Sequence, residues 1–369
     1  MMQNLYDYKS PVTNRDLFFG RTNVLTKIYS RIGADRPQSI SVVGEPKIGK
    51  SSLLWYLALE ETRRTWLKNP DDYIYFYMPI RLERNLSFKN FYISLCDGIS
   101  QKTKVITEIR EAEPSYDLFK SIIENLNQKD KKIILFFDDF HLITQNETFP
   151  LEFFSFLRSL ANNFNLAFVT SSFMDLQKLC VSKDIEESPF FNIFTNVTLK
   201  PFEQDEAIQL IEEPFHRAGL SVNSERKLIL NMAGHFPFML QAACSILFDM
   251  KVARASLEPA DLRVWEARFC TEVESHFKSL WQSFNDDQKE IFKLLMKSKR
   301  IDKAKVYVLD DLVRRNYVVK TGDRPQLYSP VFKKLVAEIN GTGLPERGRF
   351  SRWLRKLQGS FSRSATNDS

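Results

Sequence analysis

The run Gly44-Glu45-Pro46-Lys47-Ile48-Gly49-Lys50-Ser51 constrains this chain more than any other stretch, because it repeats the spacing G-x-x-x-x-G-K-[ST]. Each fixed position has a physical reason. Glycine at 44 and 49 leaves the backbone free to take conformations that a Cβ blocks, so successive N–H groups turn inward around a phosphate. Lys50 is placed to reach the β- and γ-phosphates of a nucleotide, and the Ser51 hydroxyl to ligate Mg2+. The flanks agree. Residues 38–43 are apolar and β-branched, as a buried strand requires, and a helical pattern follows from Lys50 to about Glu61. The N-terminus of that helix adds its positive dipole end to the same spot. With only 12 glycines in 369 residues, two at this spacing are not a composition effect. The spacing therefore predicts a strand–loop–helix unit holding ATP or ADP with Mg2+, with Gly44, Glu45, Pro46, Lys47, Ile48, Gly49, Lys50, Ser51 and Ser52 around the phosphates.

Further strands are expected at 73–82, 132–137, 166–170 and near 194–199, with helices at 87–100, 115–127 and 150–163. Strands alternating with helices imply a parallel sheet with helices on both faces. From Glu203 to about His276 the pattern is helical throughout, broken at Gly219 and at Gly234–Pro237. Beyond it come a helix (286–297), a shorter one (310–316), strand–turn–strand around Thr321-Gly322-Asp323, and a closing helix (330–339), the order of a winged helix. The expected organisation is an N-terminal segment (1–15), an α/β nucleotide-binding core (16–202), an all-helical lid (203–276), a winged-helix domain (277–340) and a basic tail (341–369). The 31 phenylalanines fall mostly inside the periodic segments, where they serve as core.

The strand at 132–137 runs into Asp138-Asp139. Carboxylates there stand at the carboxyl edge of a parallel sheet, where ligands bind. Asp138 is the candidate to hold Mg2+ opposite Ser51, and Asp139 to orient or deprotonate an attacking water. Thr170 and Ser171 end the fourth strand. They either touch the γ-phosphate or water, or satisfy the strand's end.

On these residues the chain resembles AAA-like P-loop ATPases of the STAND class and the related archaeal-type ATPases. Phe18-Phe19-Gly20-Arg21 is similar to the family's F-G-R segment, which implies that Phe19, Gly20 and Arg21 lie beside the adenine. Leu199-Lys200-Pro201-Phe202 resembles the segment that opens the lid, and Gly234-His235-Phe236-Pro237 the lid motif whose proline, here Pro237, approaches the nucleotide. The chain departs from the family in two places. Asp139 stands where a motor of this group carries Glu, and Ser172-Phe173 occupy the place of an arginine that often follows the fourth strand. No arginine finger is assignable, and without one phosphoryl transfer lacks a contribution of about 10³–10⁵ in rate. The resemblance thus implies a slow regulatory switch acting through a homo-oligomer or a protein effector; the competing reading is a DNA-associated ATPase of the origin-recognition or transposition-helper kind.

Charge is uneven. Residues 285–369 hold 19 Lys+Arg against 10 Asp+Glu, although the whole chain is only +6. DNA contact through 285–340, by Arg314, Arg315, Lys320 and Arg324, competes with a purely structural role, since Asp310 and Asp311 would repel phosphate. In the tail, Phe350, Trp353, Leu354, Leu357 and Phe361 share one helical face flanked by arginines. A basic amphipathic helix over 349–361 reads as a membrane-surface or partner-binding element, or as one packed on the protein's own body. No apolar run reaches the roughly 20 residues of a membrane span. Met1-Met2-Gln3-Asn4 lacks the build of a signal peptide, and the four cysteines form no C-x-x-C pair. A cytoplasmic chain, peripherally membrane-associated if the tail binds lipid, is expected.

Overall fold

The structure, a computed structural model, describes residues 2–83, 86–103, 116–254, 256–321 and 324–339. The proposed tail helix at 349–361 and the turn residues Gly322 and Asp323 lie outside them. Contacts divide the chain into two compact units, Met1–Arg226 with His235–Ala255, and Lys227–Gly234 with Ser256–Ser369.

The first unit begins with α1 (Thr22–Ile32), β1 (Ile40–Val43), α2 (Lys50–Ala58), α3 (Glu60–Trp66), β2 (Tyr73–Pro79), α4 (Phe88–Thr103) and α5 (Tyr116–Gln128). It continues with β3 (Lys132–Asp138), α6 (His141–Thr144), α7 (Leu151–Asn163), β4 (Leu166–Ser172), α8 (Lys183–Glu186), β5 (Thr195–Thr198) and α9 (Gln204–Arg217). Next comes α10 (Asn223–Ala233), whose residues are divided between the units, then α11 (Pro237–Ala253), which packs on α9. The strands form one parallel sheet in the order β2-β3-β4-β1-β5. Apolar residues along the whole of β3 and most of β4 are covered on both faces, which is why these strands read as continuous rather than alternating runs. Phe91, Phe119, Phe137, Phe153, Phe168 and Phe190 pack into one core under the sheet, so the phenylalanine content is structural.

Two expected boundaries move. The strand expected at 73–82 ends at Pro79, which has no N–H for a further ladder bond, and Ile80–Leu82 turns instead as a 3-10 helix. The helix expected from Lys50 to Glu61 breaks at Leu59, whose extended backbone separates α2 from α3.

The second unit contains α12 (Pro259–Ser283), α13 (Asp286–Met296), α14 (Val306–Arg314), the antiparallel pair β6 (Val318–Thr321) and β7 (Arg324–Leu327), and α15 (Pro330–Ile339). A core of Phe277, Phe284, Phe292, Tyr317 and Phe332 joins these elements. The expected boundary at 276/277 falls inside α12, which runs unbroken from its Glu258–Asp261 capping box to Ser283. Helix α14 starts at Val306 rather than at 310, because Asp302 caps a 3-10 turn that feeds directly into it.

Candidate functional site

The loop after β1 is fixed at both ends. The Gly44 N–H donates to the Ser172 carbonyl of β4 (3.2 Å), and a Cβ on Gly44 would lie 2.9 Å from the Leu199 carbonyl oxygen, so backbone packing excludes any larger residue. At the other end Gly49 caps α2 with φ +98°; no atom crowds its Cβ position, so conformation rather than space demands glycine there. Lys47 also takes a left-handed backbone, with φ +64°. The first-turn amides of α2 have no intrahelical acceptor, and they begin where the loop ends.

Lys50 is only 8% exposed, and its ammonium donates to the carbonyls of Gly44 (2.8 Å) and Glu45 (3.0 Å). Burial pushes its pKa below the ordinary lysine value, while Asp139, Asp138 and Glu45 hold it up. The loop lysine and the β3 carboxylates therefore feel one another's charge.

Strand β4 lies between β1 and β3, and its end organises both carboxylates. The Ser171 hydroxyl donates to Asp138 Oδ1 and accepts the Asp139 N–H (2.8 Å), while the Ser171 carbonyl accepts from Phe140 N (2.9 Å). Asp138 also accepts from the Tyr77 hydroxyl (3.3 Å). Thr170 has a different setting. It is fully buried, its hydroxyl has no partner among the described residues, and it is not bonded to either carboxylate. Asp139 takes a left-handed backbone (φ +59°), with Oδ2 accepting from Arg81 Nε (2.8 Å) and Oδ1 4.0 Å from His141 Nδ1. Burial lowers the His141 pKa from 6.5, Asp139 opposing, so the imidazole is neutral at pH 7. Asp138 with the Ser51 hydroxyl, second residue of α2, makes a set of hard oxygen donors of the kind Mg2+ takes alongside phosphate and water.

A second set of contacts centres on Arg21. It caps α1 with a left-handed backbone, its N–H bonds the Glu206 carboxylate, and its guanidinium donates to the carbonyls of Lys200 (2.5 Å) and Ile48 (3.0 Å). The same group lies 4.3 Å over the Phe202 ring. Burial lowers its pKa to about 10, with Glu206 opposing. Phe19 is buried, and a Cβ on Gly20 would meet the Glu206 side chain at 2.8 Å. Arg21 is thus bonded to the phosphate loop itself, joining it to the segment that leaves β5. Arg21→Ala is expected to cost about 3 kcal/mol of stability, the scale of charge-assisted buried bonds. Arg21→Lys should recover only part, because an ammonium lacks the planar fork that reaches two carbonyls. Urea unfolding of both variants measures this.

That segment is tied in turn to the approach to α11. Phe202 N–H donates to the His235 carbonyl (2.9 Å), and His235 Nδ1 lies 3.0 Å from the Phe202 carbonyl. Pro237 is the first residue of α11, and Phe238 beside it lies beneath the Lys47 ammonium, 3.9 Å from ring centroid to Nζ. Ser52, read from the sequence as a phosphate contact, accepts the Val12 N–H (2.9 Å). Tyr77, Arg81 and His141 were not singled out from the sequence. The available signal was His141 two positions after Asp139, at the start of the next helix.

In the second unit, Arg314 and Arg315 pair with Asp311, and Lys320 lies 3.8 Å from Asp310. Exposed pairs of this kind are weak, yet they offset the basic charge that DNA would use.

The sequence model of the family described as "Novel STAND NTPase 2" matches residues 34–300. No curated protein matches the chain. Among solved structures, the Walker-type ATPase PABY2304 of Pyrococcus abyssi superposes with a TM-score of 0.59 at 16% identity, covering 89% of this chain and 98% of that one. The Aeropyrum pernix ORC2 protein, solved as ADPNP-ADP complexes, gives 0.58 at 15% identity, covering 87% and 93%. At such identities the likeness establishes the fold.

Proposed function

The chain belongs to the family described as Novel STAND NTPase 2, and from that premise we propose that it is an ATP-binding, slowly hydrolysing regulatory switch. The observation that carries the reading is the join between loop and carboxylates. Lys50 and Ser51 open α2, Ser171 holds Asp138 and Asp139 side by side on the neighbouring strand end, and Lys50 lies within their field. In this reading the loop amides and Lys50 bind the polyphosphate, Ser51 and Asp138 hold Mg2+, and Asp139 positions the water. Bound Mg2+ would offset phosphate charge. Arg81, whose bond to Asp139 Oδ2 engages the carboxylate with a cation, adds a small restraint on turnover. The nucleotide-dependent element is α11, which begins at Pro237 next to the loop-facing Phe238. Assembly into a homo-oligomer, or onto a protein effector, is the output.

Against the DNA-associated alternative, the ion pairs of Asp310 and Asp311 with the nearby basic residues favour the switch. Among the described residues no helix is long and apolar enough to cross a membrane. The test is ATP hydrolysis and oligomer mass with ADP, ATP or neither, with and without duplex DNA. Slow hydrolysis and ATP-dependent assembly that ignore DNA are expected. Turnover or assembly appearing only with DNA, and weakening steeply with salt, would overturn the switch in favour of the alternative.

A further inference from the structure

Residues 4–12 form a strap across the first unit. The Asn4 amide donates to the Ser245 carbonyl (3.0 Å) and to Asp249 Oδ1 (2.8 Å) on α11, and the Tyr6 hydroxyl donates to the Ile211 carbonyl of α9 (2.5 Å). Tyr6 is buried against Phe215 and Phe248. The Tyr8 ring meets Phe238 edge-on at 6.1 Å, and the Val12 N–H ends the strap on Ser52 Oγ, two residues after Lys50. Phe238 therefore contacts both Lys47 of the phosphate loop and Tyr8 of the strap. The contacts close a circuit: loop, first turn of α11, strap, and back to the helix that follows the loop.

We propose that Lys47 and Phe238, backed by Tyr8, form a latch through which phosphate occupancy of the loop is transmitted to α11; the proposal rests on the nucleotide reading above and names its regulation. The physical basis is a competition for one ammonium. A cation over an aromatic face is held by the ring quadrupole, an attraction of about 0.5–1 kcal/mol at exposed sites. A polyphosphate in the loop offers the exposed Lys47 a full opposite charge at close range, which is the stronger partner. Lys47 then leaves the ring, and the first turn of α11 loses this contact with the loop. The strap, bonded to α11 at Ser245 and Asp249, keeps the helix attached while its N-terminal end loosens.

Hydrogen exchange of the α11 amides Leu240–Cys244 reads the latch directly, since the Leu240 N–H is bonded to the Phe236 carbonyl in the first turn. Without nucleotide, Phe238→Leu and Lys47→Met should each speed exchange there by about two- to fivefold, the factor that such a cation–π contact supports, whereas Lys47→Arg should not. Adding ADP and Mg2+ should speed exchange in the wild type to the Phe238→Leu level and leave Phe238→Leu unchanged. Wild-type exchange that stays constant although calorimetry shows ADP bound would overturn the latch and leave the nucleotide site standing. Nucleotide-free exchange identical in wild type, Phe238→Leu and Lys47→Met would overturn it as well. If calorimetry shows no ADP binding, the nucleotide reading fails, while the nucleotide-free variants still decide whether Lys47 restrains α11.

Discussion

Asp139→Asn is expected to lower ATP hydrolysis by about 10²–10⁴-fold, the range that one positioned acid–base group supplies, and to leave ADP affinity within a few fold. The substitution is a clean one. Asparagine keeps the size of the side chain and tolerates the left-handed backbone (φ +59°) that Asp139 adopts, and its N–H still donates to Ser171 Oγ. What it loses is the negative charge that faces Arg81 on one oxygen and the neutral His141 on the other. Removing the opposing group sharpens the test. Arg81 is 68% exposed, so its pair with Asp139 is worth at most about 1 kcal/mol, and Arg81→Ala should change the rate by no more than about fivefold. If that pair restrains Asp139, the change is an increase. Steady-state phosphate release on the two single variants measures both. An Asp139→Asn protein hydrolysing at the wild-type rate would remove Asp139 from the reaction.

The parts of this molecule legible in its sequence are those whose physics is local. Two glycines five residues apart, a lysine and a serine announce the loop because phosphate binding needs backbone freedom and charge at fixed spacing. Asp138 and Asp139 are legible because β3 is apolar on both faces and stops where the carboxylates begin. The structure places β4 between β1 and β3, an order that alternation alone does not dictate, and this delivers Ser171 to the carboxylates. The rest depends on distant pairing. Arg81 falls in a stretch whose alternation continues as a strand, and only the missing N–H of Pro79 turns it toward Asp139. The strap has no periodicity at all; Tyr6 is buried because Ile211 and Phe248 lie far along the chain, and nothing within residues 4–12 signals it. Arg21 was readable as part of an F-G-R segment, but its bond to the Ile48 carbonyl needs the loop already folded. The domain boundary expected at 276/277 rests on a change of pattern that α12 spans, since a capped helix of this length carries through a shift in composition.

Lys50→Met should divide function from stability. Turnover should fall by about 10²–10³-fold, the scale seen when one preorganised charge on the transition state is removed. Stability at neutral pH should rise. The reason is the sign of the Lys50 shift: burial holds the folded-state pKa below the ordinary value of 10.5. Above that value folded and unfolded chains both leave the amine neutral, and no penalty exists. As pH falls through it the unfolded chain takes up the proton first, which draws the equilibrium toward unfolding, and below the folded pKa the penalty is complete. Methionine carries no proton in either state, so its advantage grows as pH falls below the ordinary lysine range and vanishes as pH rises above it. Against this stands the loss of two bonds, to the Gly44 and Glu45 carbonyls. Urea midpoints at neutral and alkaline pH decide which effect wins, and a Lys50→Met protein less stable at pH 7 would show that the bonds outweigh the desolvation. Nucleotide supplies the second arm. Ligand that binds only the folded state stabilises it by RT ln(1 + [L]/Kd), so ADP with Mg2+ should raise the wild-type midpoint and reverse the order of the two proteins. A lysine that weakens the nucleotide-free fold and strengthens the loaded one is what a site selected for phosphate, rather than for packing, requires.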